Sequence, residues 1–286
     1  MNKEAITEVI RRRTSCRSYE KTPMSPEIRA QLADFCGAQT HGPLGAQPHF
    51  LLISATEENR AALKGLGTYG FIKNPTAFIL GAVKRGPNAL EDFGYLLETI
   101  VLRATALGLG TCWLGGSFTR SSFAHALALR EEELLPAVIA TGLPAENPRL
   151  VDRLIRGGAG SDRRLPWEQL FFNSDFSTPL TTTEAGAYTE ALELLRLGPS
   201  ASNRQPWRVL KTAGAWHFFV HHNPNYRKQM KLVTAIDLQR VDIGIAMSHF
   251  ALTATALGLR GVWQTQPFPA PPDPDTEYII SWVEQT

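Results

Sequence analysis

The chain of 286 residues has few of the features that would assign it to several common classes of protein. Its three cysteines, Cys16, Cys36 and Cys112, are far apart and form no CxxC pair, which argues against a disulfide framework or a zinc site. It has no long apolar run, its start lacks the apolar core of a signal peptide, and its formal net charge is only +2. These features predict a soluble, cytoplasmic protein that binds neither membranes nor nucleic acid, with the cysteines buried as small apolar side chains.

Motifs of several enzyme classes are also missing. The sequence has no Gly-x-Ser-x-Gly and no Gly-x-x-x-x-Gly-Lys, so hydrolase and nucleotide-triphosphatase functions have no support. Residues 108–110 read Gly-Leu-Gly, but Trp113 stands where a dinucleotide fingerprint needs its third glycine, and a predicted helix precedes them. His217, His221 and His222 have no carboxylate or cysteine at ligand spacing, so we expect exposed strand residues and no metal.

Residues 199–207 form the most informative stretch, a loop rich in small hydroxyl and amide side chains. A helix is predicted before it, because Thr181 and Glu184 have capping-box spacing and Gly198 can end the helix. A strand is predicted after it, at 209–210. These small polar residues would let a flat polar ligand approach the backbone closely, although such a composition is also that of a plain turn.

A second polar stretch lies near the start of the chain. If residues 13–19 are extended, Arg13, Ser15 and Arg17 share one face, since side chains two apart in a strand point the same way. Two guanidinium groups and a hydroxyl could receive a phosphate and a polarised carbonyl. The alternative is that these arginines are solvated surface charges.

The sequence contains an internal duplication with an offset of 150 residues. Asp92 and Gly94 of one predicted helix match Asp242 and Gly244 of another, and the identities continue through the helix ends to two tryptophans, Trp113 and Trp263. We therefore expect two similar halves, 1–160 and 161–286. The link between them begins near residue 146 and runs to residue 183, a stretch rich in Pro, Gly, Arg and Asp. The apolar stripes of the two long helices are expected to pack against each other.

Residues 199–207 resemble the Pro-Ser-Ser-x-Asn-x-Gln-Pro-Trp signature of the FMN-dependent nitroreductase family. Residues 13–17 are similar to that family's N-terminal Arg-x-Ser-x-Arg, which holds the phosphate, ribityl and pyrimidine parts of FMN. Residues 111–116 resemble its glycine turn along the flavin ring, although a loop ending a helix would read the same. Residues 163–166 are similar to its late Arg-x-Pro element, whose arginine reaches the phosphate, although a surface charge in a linker is the alternative.

The resemblance implies an α+β nitroreductase-like fold with mixed, mainly antiparallel sheets flanked by helices. The closest match is the single-chain branch, in which two tandem repeats form an intramolecular pseudo-dimer. The implied FMN-binding residues are Arg13, Thr14, Ser15, Arg17, Gly115, Gly116, Arg164, Pro199, Ser200, Ala201, Ser202, Asn203 and Gln205. Residues 42–46, the equivalent (the mate) of the serine-rich loop in the first half, lack the motif. We therefore expect one complete site, formed within a monomer. Further dimerisation through another surface is left open.

The implied function is electron transfer from NAD(P)H through FMN to a nitroaromatic, a quinone or a similar small acceptor. The chemistry would belong to FMN, with no side chain required as an acid or base, and Arg17 could stabilise the anionic reduced flavin. The alternative functions are an FMN-binding protein that sequesters or senses flavin with little turnover, and a structural relic without flavin.

Overall fold

The structure is a computed structural model that describes residues 5–146, 163–231 and 236–285. The described residues of the first half form four α-helices and five strands. The helices are α1 (Ile6–Arg12), α2 (Pro26–Ala38), α3 (Ala89–Ala106) and α4 (Arg120–Ala126). The strands are β1 (His49–Ser54), β2 (Ala77–Lys84), β3 (Gly110–Leu114), β4 (Glu133–Leu134) and β5 (Val138–Gly142).

The second half adds a second set of helices and strands, which begins at β6. Its strands are β6 (Phe171–Asn173), β7 (Asp175–Pro179), β8 (Trp207–Thr212), β9 (Ala215–His221), β10 (Gly261–Gln264) and β11 (Thr276–Glu284). Its helices are α5 (Thr182–Ala185), α6 (Thr189–Arg196), α7 (Pro224–Lys231) and α8 (Leu238–Ala256).

The two sheets have the same order of core strands. The first runs β1-β2-β5-β3, with β4 also on β2, and the second runs β8-β9-β11-β10 when it is read from β8. All pairs are antiparallel except β6 with β8, which extends the second sheet together with β7. The predicted α+β fold of two tandem repeats is confirmed.

The long helices α3 and α8 cover the sheets of their own halves. Phe93, Leu97 and Ile100 belong to the core that contains β2 and β5, whereas Met247 and Phe250 belong to the core that contains β8 and β9. The expectation that these apolar stripes pack against each other is therefore wrong. Hydrophobic periodicity locates a buried stripe, but it does not say whether a sheet or a helix covers it.

The helices α3 and α8 meet through small and polar residues, and they form the most extensive helix pair among the described elements. A Cβ on Gly94 would lie 2.1 Å from the carbonyl oxygen of Val241, and one on Gly244 would lie 1.9 Å from that of Glu91. The two contacts are equivalent, because the offset of 150 residues relates Gly94 to Gly244 and Glu91 to Val241. Glycine is therefore required at both positions, since a side chain would force the backbones apart.

Local sequence signals at the helix starts are confirmed. The hydroxyl of Ser25 accepts the backbone N–H of Ile28 at the start of α2, and Thr181 and Glu184 form the predicted capping box. The predicted helix after Thr181 is divided, because a 3₁₀ turn beginning at Gly186 separates α5 from α6.

Three further expectations differ from the structure. Of residues 111–116, which resemble a turn, residues 111–114 lie in strand β3, whose hydrogen bonds to β5 extend the first sheet. The link from 146 to 183 carries β6 and β7, and its residues 147–162 lie outside the described part. His217 and His222 are buried, not exposed; His217 contacts the hydroxyls of Thr212 and Ser281 at 2.8 and 2.7 Å.

Cys36 and Cys112 are buried as expected, whereas Cys16 is half-buried.

Replacing Gly244 with alanine should lower the free energy of unfolding by about 3 kcal/mol, because the added methyl group overlaps the carbonyl of Glu91. Urea denaturation of the purified chain would measure the loss. Gly37→Ala in α2 is the control, since no atom lies within 4 Å of its added Cβ. That substitution should raise stability by about 0.5 to 1 kcal/mol, and equal losses in both variants would contradict the close helix contact.

Candidate functional site

A cavity of about 570 Å³ is lined by residues from both halves. This volume lies within the usual range for small-molecule sites. Twelve of the thirteen residues predicted from the sequence line it: Arg13, Thr14, Ser15, Arg17, Gly115, Gly116, Arg164, Pro199, Ser200, Ala201, Ser202 and Asn203. The structure thus brings the N-terminal stretch, the turn after β3 and the loop after α6 to one place.

Gln205 is the exception, because it lies behind the loop and not in the cavity wall. It is buried, and its Oε1 accepts the backbone N–H of Leu165 at 2.9 Å. Its Nε2 donates to the carbonyl oxygens of Asn203 and Arg163 at 3.3 and 3.4 Å. The role of Gln205 in this structure is therefore to tie the loop to the segment that carries Arg164.

The loop at 199–203 is held in an unusual backbone conformation. Residues Ala201–Asn203 form a 3₁₀ turn in which Ser202 and Asn203 have φ values of 51° and 53°. The carboxylate of Asp242 accepts the N–H of Ala201 with both oxygens, at 3.0 and 3.1 Å. The Ser200 hydroxyl accepts the N–H of Gln205 at 2.9 Å. These bonds offset the cost of left-handed backbone at residues other than glycine.

The first half supplies the cavity's N-terminal wall through a short pairing with β3. Ser15 bridges to Thr111 in parallel, and the N–H of Cys16 donates to the Thr111 carbonyl at 2.8 Å. This pairing keeps residues 13–17 extended, as alternation predicted, so that Arg13, Ser15 and Arg17 all reach the cavity.

Four arginines line the cavity, and they differ in how their charges are balanced. Arg11 donates to Glu190 at 2.8 Å, and the Nε of Arg13 lies 3.9 Å from the carboxylate of Glu98. The Nη1 of Arg17 is buried and has no hydrogen-bond partner among the described residues. A buried donor without an acceptor is costly, so this guanidinium is suited to an anionic or strongly polar ligand in the cavity.

Sequence reasoning missed the part of the wall that comes from α7 and α8. Tyr226 and Asp242 line the cavity together with apolar residues of α8. Burial raises the pKa of the Tyr226 hydroxyl to about 12 and that of the Asp242 carboxyl well above its usual range. Asp242 could have been found, because it is one of the identities in the duplication, whereas nothing in the sequence marked Tyr226.

The equivalent position in the other half has larger apolar side chains. Asp92, the mate of Asp242, accepts the N–H groups of Leu44 and Ala46 at 2.9 and 2.7 Å. Leu44 and Tyr95 pack against the hydrophobic core of the second half. Since Tyr95 is the mate of Ile245, which lines the cavity, a larger ring occupies the equivalent position.

Among the described residues, no three His, Cys, Asp or Glu side chains gather in a metal-binding arrangement. A separate search of that same part of the chain gives no helix with the length and apolar character needed to cross a bilayer.

The duplicated α+β halves, with the arginine-lined cavity between them, define a single-chain pseudo-dimer. The chain belongs to the nitroreductase family described as "Putative TM nitroreductase", whose family model matches residues 5–254. No curated protein matches the sequence.

Solved structures are similar to this chain at low sequence identity. One, titled a "putative nitroreductase" from Thermotoga maritima MSB8, is 21% identical, with a TM-score of 0.61, and the match covers 99% of this chain and 95% of that one. Another, a nitroreductase with bound FMN from Bacteroides fragilis NCTC 9343, is 20% identical, with a TM-score of 0.39, over 51% of this chain and 92% of that one. The first of these likenesses supports the fold.

The left-handed backbone at Ser202 gives a test of the loop's conformation. Ser202→Val should be less stable than Ser202→Gly by about 1 to 2 kcal/mol, because glycine adopts a positive φ freely and a β-branched residue does not. Both substitutions remove the same hydroxyl, so the difference isolates the backbone. Urea midpoints of the flavin-free variants would measure it, and equal midpoints would contradict the conformation.

Proposed function

We propose that this chain is an FMN-dependent oxidoreductase that transfers electrons from NAD(P)H to a nitroaromatic, a quinone or a similar small acceptor. Its membership of the nitroreductase family supports this proposal. The observation that carries it is the buried, unpartnered Nη1 of Arg17 in a cavity lined by twelve of the residues that the FMN resemblance implied.

The chemistry of the cavity wall fits FMN. Arg13 and Arg164 would hold the phosphate, because guanidinium groups bind phosphate oxygens in a bidentate manner. Thr14 and Ser15 would bond to ribityl or pyrimidine oxygens, and Arg17 would face the polar edge of the ring. The turn at 115–116 and the small residues of the loop at 199–203 leave room for a flat ring close to the backbone.

Bound FMN would supply the redox chemistry, since it takes up hydride from a nicotinamide and passes electrons to an acceptor. The side chains would bind and orient it. Arg17 would also favour negative charge on the reduced ring, because a cation in a largely buried site acts at low dielectric.

One FMN per chain is the stoichiometry that the two halves support. The cavity draws its loop from the second half and its N-terminal arginines from the first, whereas the equivalent position carries Leu44 and Tyr95, which pack against the core of the second half. We propose halves of 1–160 and 161–286 that complete this site within a monomer. The described cysteines form no disulfide, which fits a reducing compartment such as the cytoplasm.

Arg17→Ala should weaken FMN binding by about 1.5 to 3 kcal/mol, the usual contribution of a hydrogen bond to a charged group. Titration of flavin-free protein, followed by quenching of FMN fluorescence, would measure the dissociation constant. Arg17→Lys should recover part of the loss. Arg85→Ala, at an exposed position after β2, is the control and should bind like the wild type. Equal affinities for Arg17→Ala and wild type would remove the main support for the site.

Turnover tests the function itself. Purified protein should release about one FMN per chain and oxidise NADH or NADPH with a quinone or nitroaromatic acceptor. If donor and acceptor use the same flavin face in turn, reciprocal plots at several acceptor concentrations should be parallel. Bound FMN without NAD(P)H oxidation would favour a sequestering or sensing protein, and no flavin after reconstitution would contradict both functions.

A further inference from the structure

A buried hydrogen-bond network of titratable side chains lies beneath the cavity and joins the two halves. Glu98 of α3 and His249 of α8 are both completely buried, and the Oε1 of Glu98 lies 2.9 Å from the Nε2 of His249. The Nδ1 of His249 lies 2.9 Å from the carbonyl oxygen of Leu194, in the helix that leads into the loop at 199–203. The network thus connects α3 of the first half with α6 and α8 of the second.

The positions of the hydrogens follow from the partners. A carbonyl oxygen only accepts, so the Nδ1 of His249 carries a hydrogen and donates it to Leu194. The Nε2 of His249 and the Oε1 of Glu98 share one further hydrogen, which is bonded either to the ring nitrogen or to the carboxyl oxygen. Both nitrogens of the imidazole are therefore used, and the orientation of the Glu98 carboxyl is fixed from the side of the second half.

The other side of Glu98 faces the cavity wall. Its Oε2 accepts the indole N–H of Trp113 at 2.8 Å, and its Oε1 lies 3.9 Å from the Nε of Arg13. Trp113 and Arg13 both line the cavity. A single buried carboxyl therefore contacts two residues of the candidate flavin site while it is held by the opposite half.

The internal duplication supplies a comparison within the same chain. Under the offset of 150 residues, the mate of the Glu98–His249 contact is that of Ser248 with Thr99, two hydroxyls 3.1 Å apart. The mate of Trp113 is Trp263, whose buried indole N–H has no acceptor in the part of the chain described. The Glu98–His249 network is thus present beside the cavity, and two hydroxyl residues replace it at the equivalent contact.

A buried carboxyl is retained at a cost in free energy unless hydrogen bonds satisfy it, and neutral residues occupy the equivalent contact of this same protein. We propose that Glu98 and His249 are positioning residues for the flavin site: Glu98 fixes Trp113 and Arg13 in the cavity wall, and His249 fixes Glu98. The inference rests on the proposed function for the identity of the ligand, but the geometry it describes exists without the ligand.

The first test uses flavin-free protein. The chain has six tryptophans, so its indole N–H signals in ¹H–¹⁵N spectra can be separated, and the signal lost in Trp113→Phe identifies Trp113. His249→Leu should move or broaden that signal, because Glu98 loses the partner that orients it. The matched control is Thr99→Val at the mate position, which should leave the Trp113 signal in place.

The second test measures FMN binding. His249→Leu should raise the dissociation constant about tenfold, the size expected for loss of one charge-assisted hydrogen bond, whereas Thr99→Val should change it less than about twofold. His249→Gln keeps a donor for Glu98 and should recover part of the affinity. In a Trp113→Phe background, His249→Leu should raise the dissociation constant by a smaller factor, since the effects of substitutions within one network are not additive.

The outcomes separate this inference from the proposed function. An unmoved Trp113 signal in His249→Leu, or equal losses of affinity in His249→Leu and Thr99→Val, would overturn the positioning role. If wild-type protein binds no FMN, the proposed function fails, and the indole signals still decide whether the network orients the wall. If His249→Leu does not fold, His249→Asn gives the same readouts, because its shorter amide side chain removes the contact with Glu98. An unmoved Trp113 signal together with wild-type affinity in His249→Asn would contradict the proposal.

Discussion

The backbone contact between α3 and α8 is the constraint on which the arrangement of this protein depends. Reciprocal glycines, Gly94 and Gly244, let the two helices approach until each faces a carbonyl of the other. Because each helix also carries the core of its own sheet, this contact sets the separation of the two halves. It thereby brings the stretch 13–17 of one half opposite the loop 199–203 of the other. The candidate site thus depends on the close approach of the α3 and α8 backbones, which bulky side chains between the two helices would prevent.

Fusion of the halves allows the two sides of this contact to differ. In a symmetric pair of separate subunits, each substitution would appear on both sides of the axis. Here one side has the buried pair of Glu98 and His249 beside the cavity, whereas the other has the hydroxyls of Thr99 and Ser248. Tyr95 stands at the position equivalent to Ile245 of the cavity wall. The two sides of one fold therefore carry different residues, with the cavity on one side and the apolar packing of Leu44 and Tyr95 on the other.

The sequence predicted what depends on local spacing and on identity between the halves. Duplicated identities gave the two repeats, capping residues gave helix starts, and alternation along 13–17 gave three side chains that share the cavity. The remainder depends on long-range packing. The strand at 110–114 needs β5 beside it, Gln205 bonds to a segment forty residues away, and Tyr226 reaches the cavity from a helix without a motif. Residue types reveal such roles only when the tertiary partners are known.

The parallel pairing of β6 with β8 has a consequence for how the chain can be divided. β6 follows the first half in sequence, yet it covers the edge of the second sheet at Val209 and Leu210. The mate of β8 is β1, which has no such cover among the described residues and leaves Leu51 partly exposed. A fragment that began after β7 would present β8 as a bare sheet edge, and such edges recruit other chains into aggregates. By pairing with β8, strand β6 therefore covers a sheet edge through which the second half could otherwise associate with other chains.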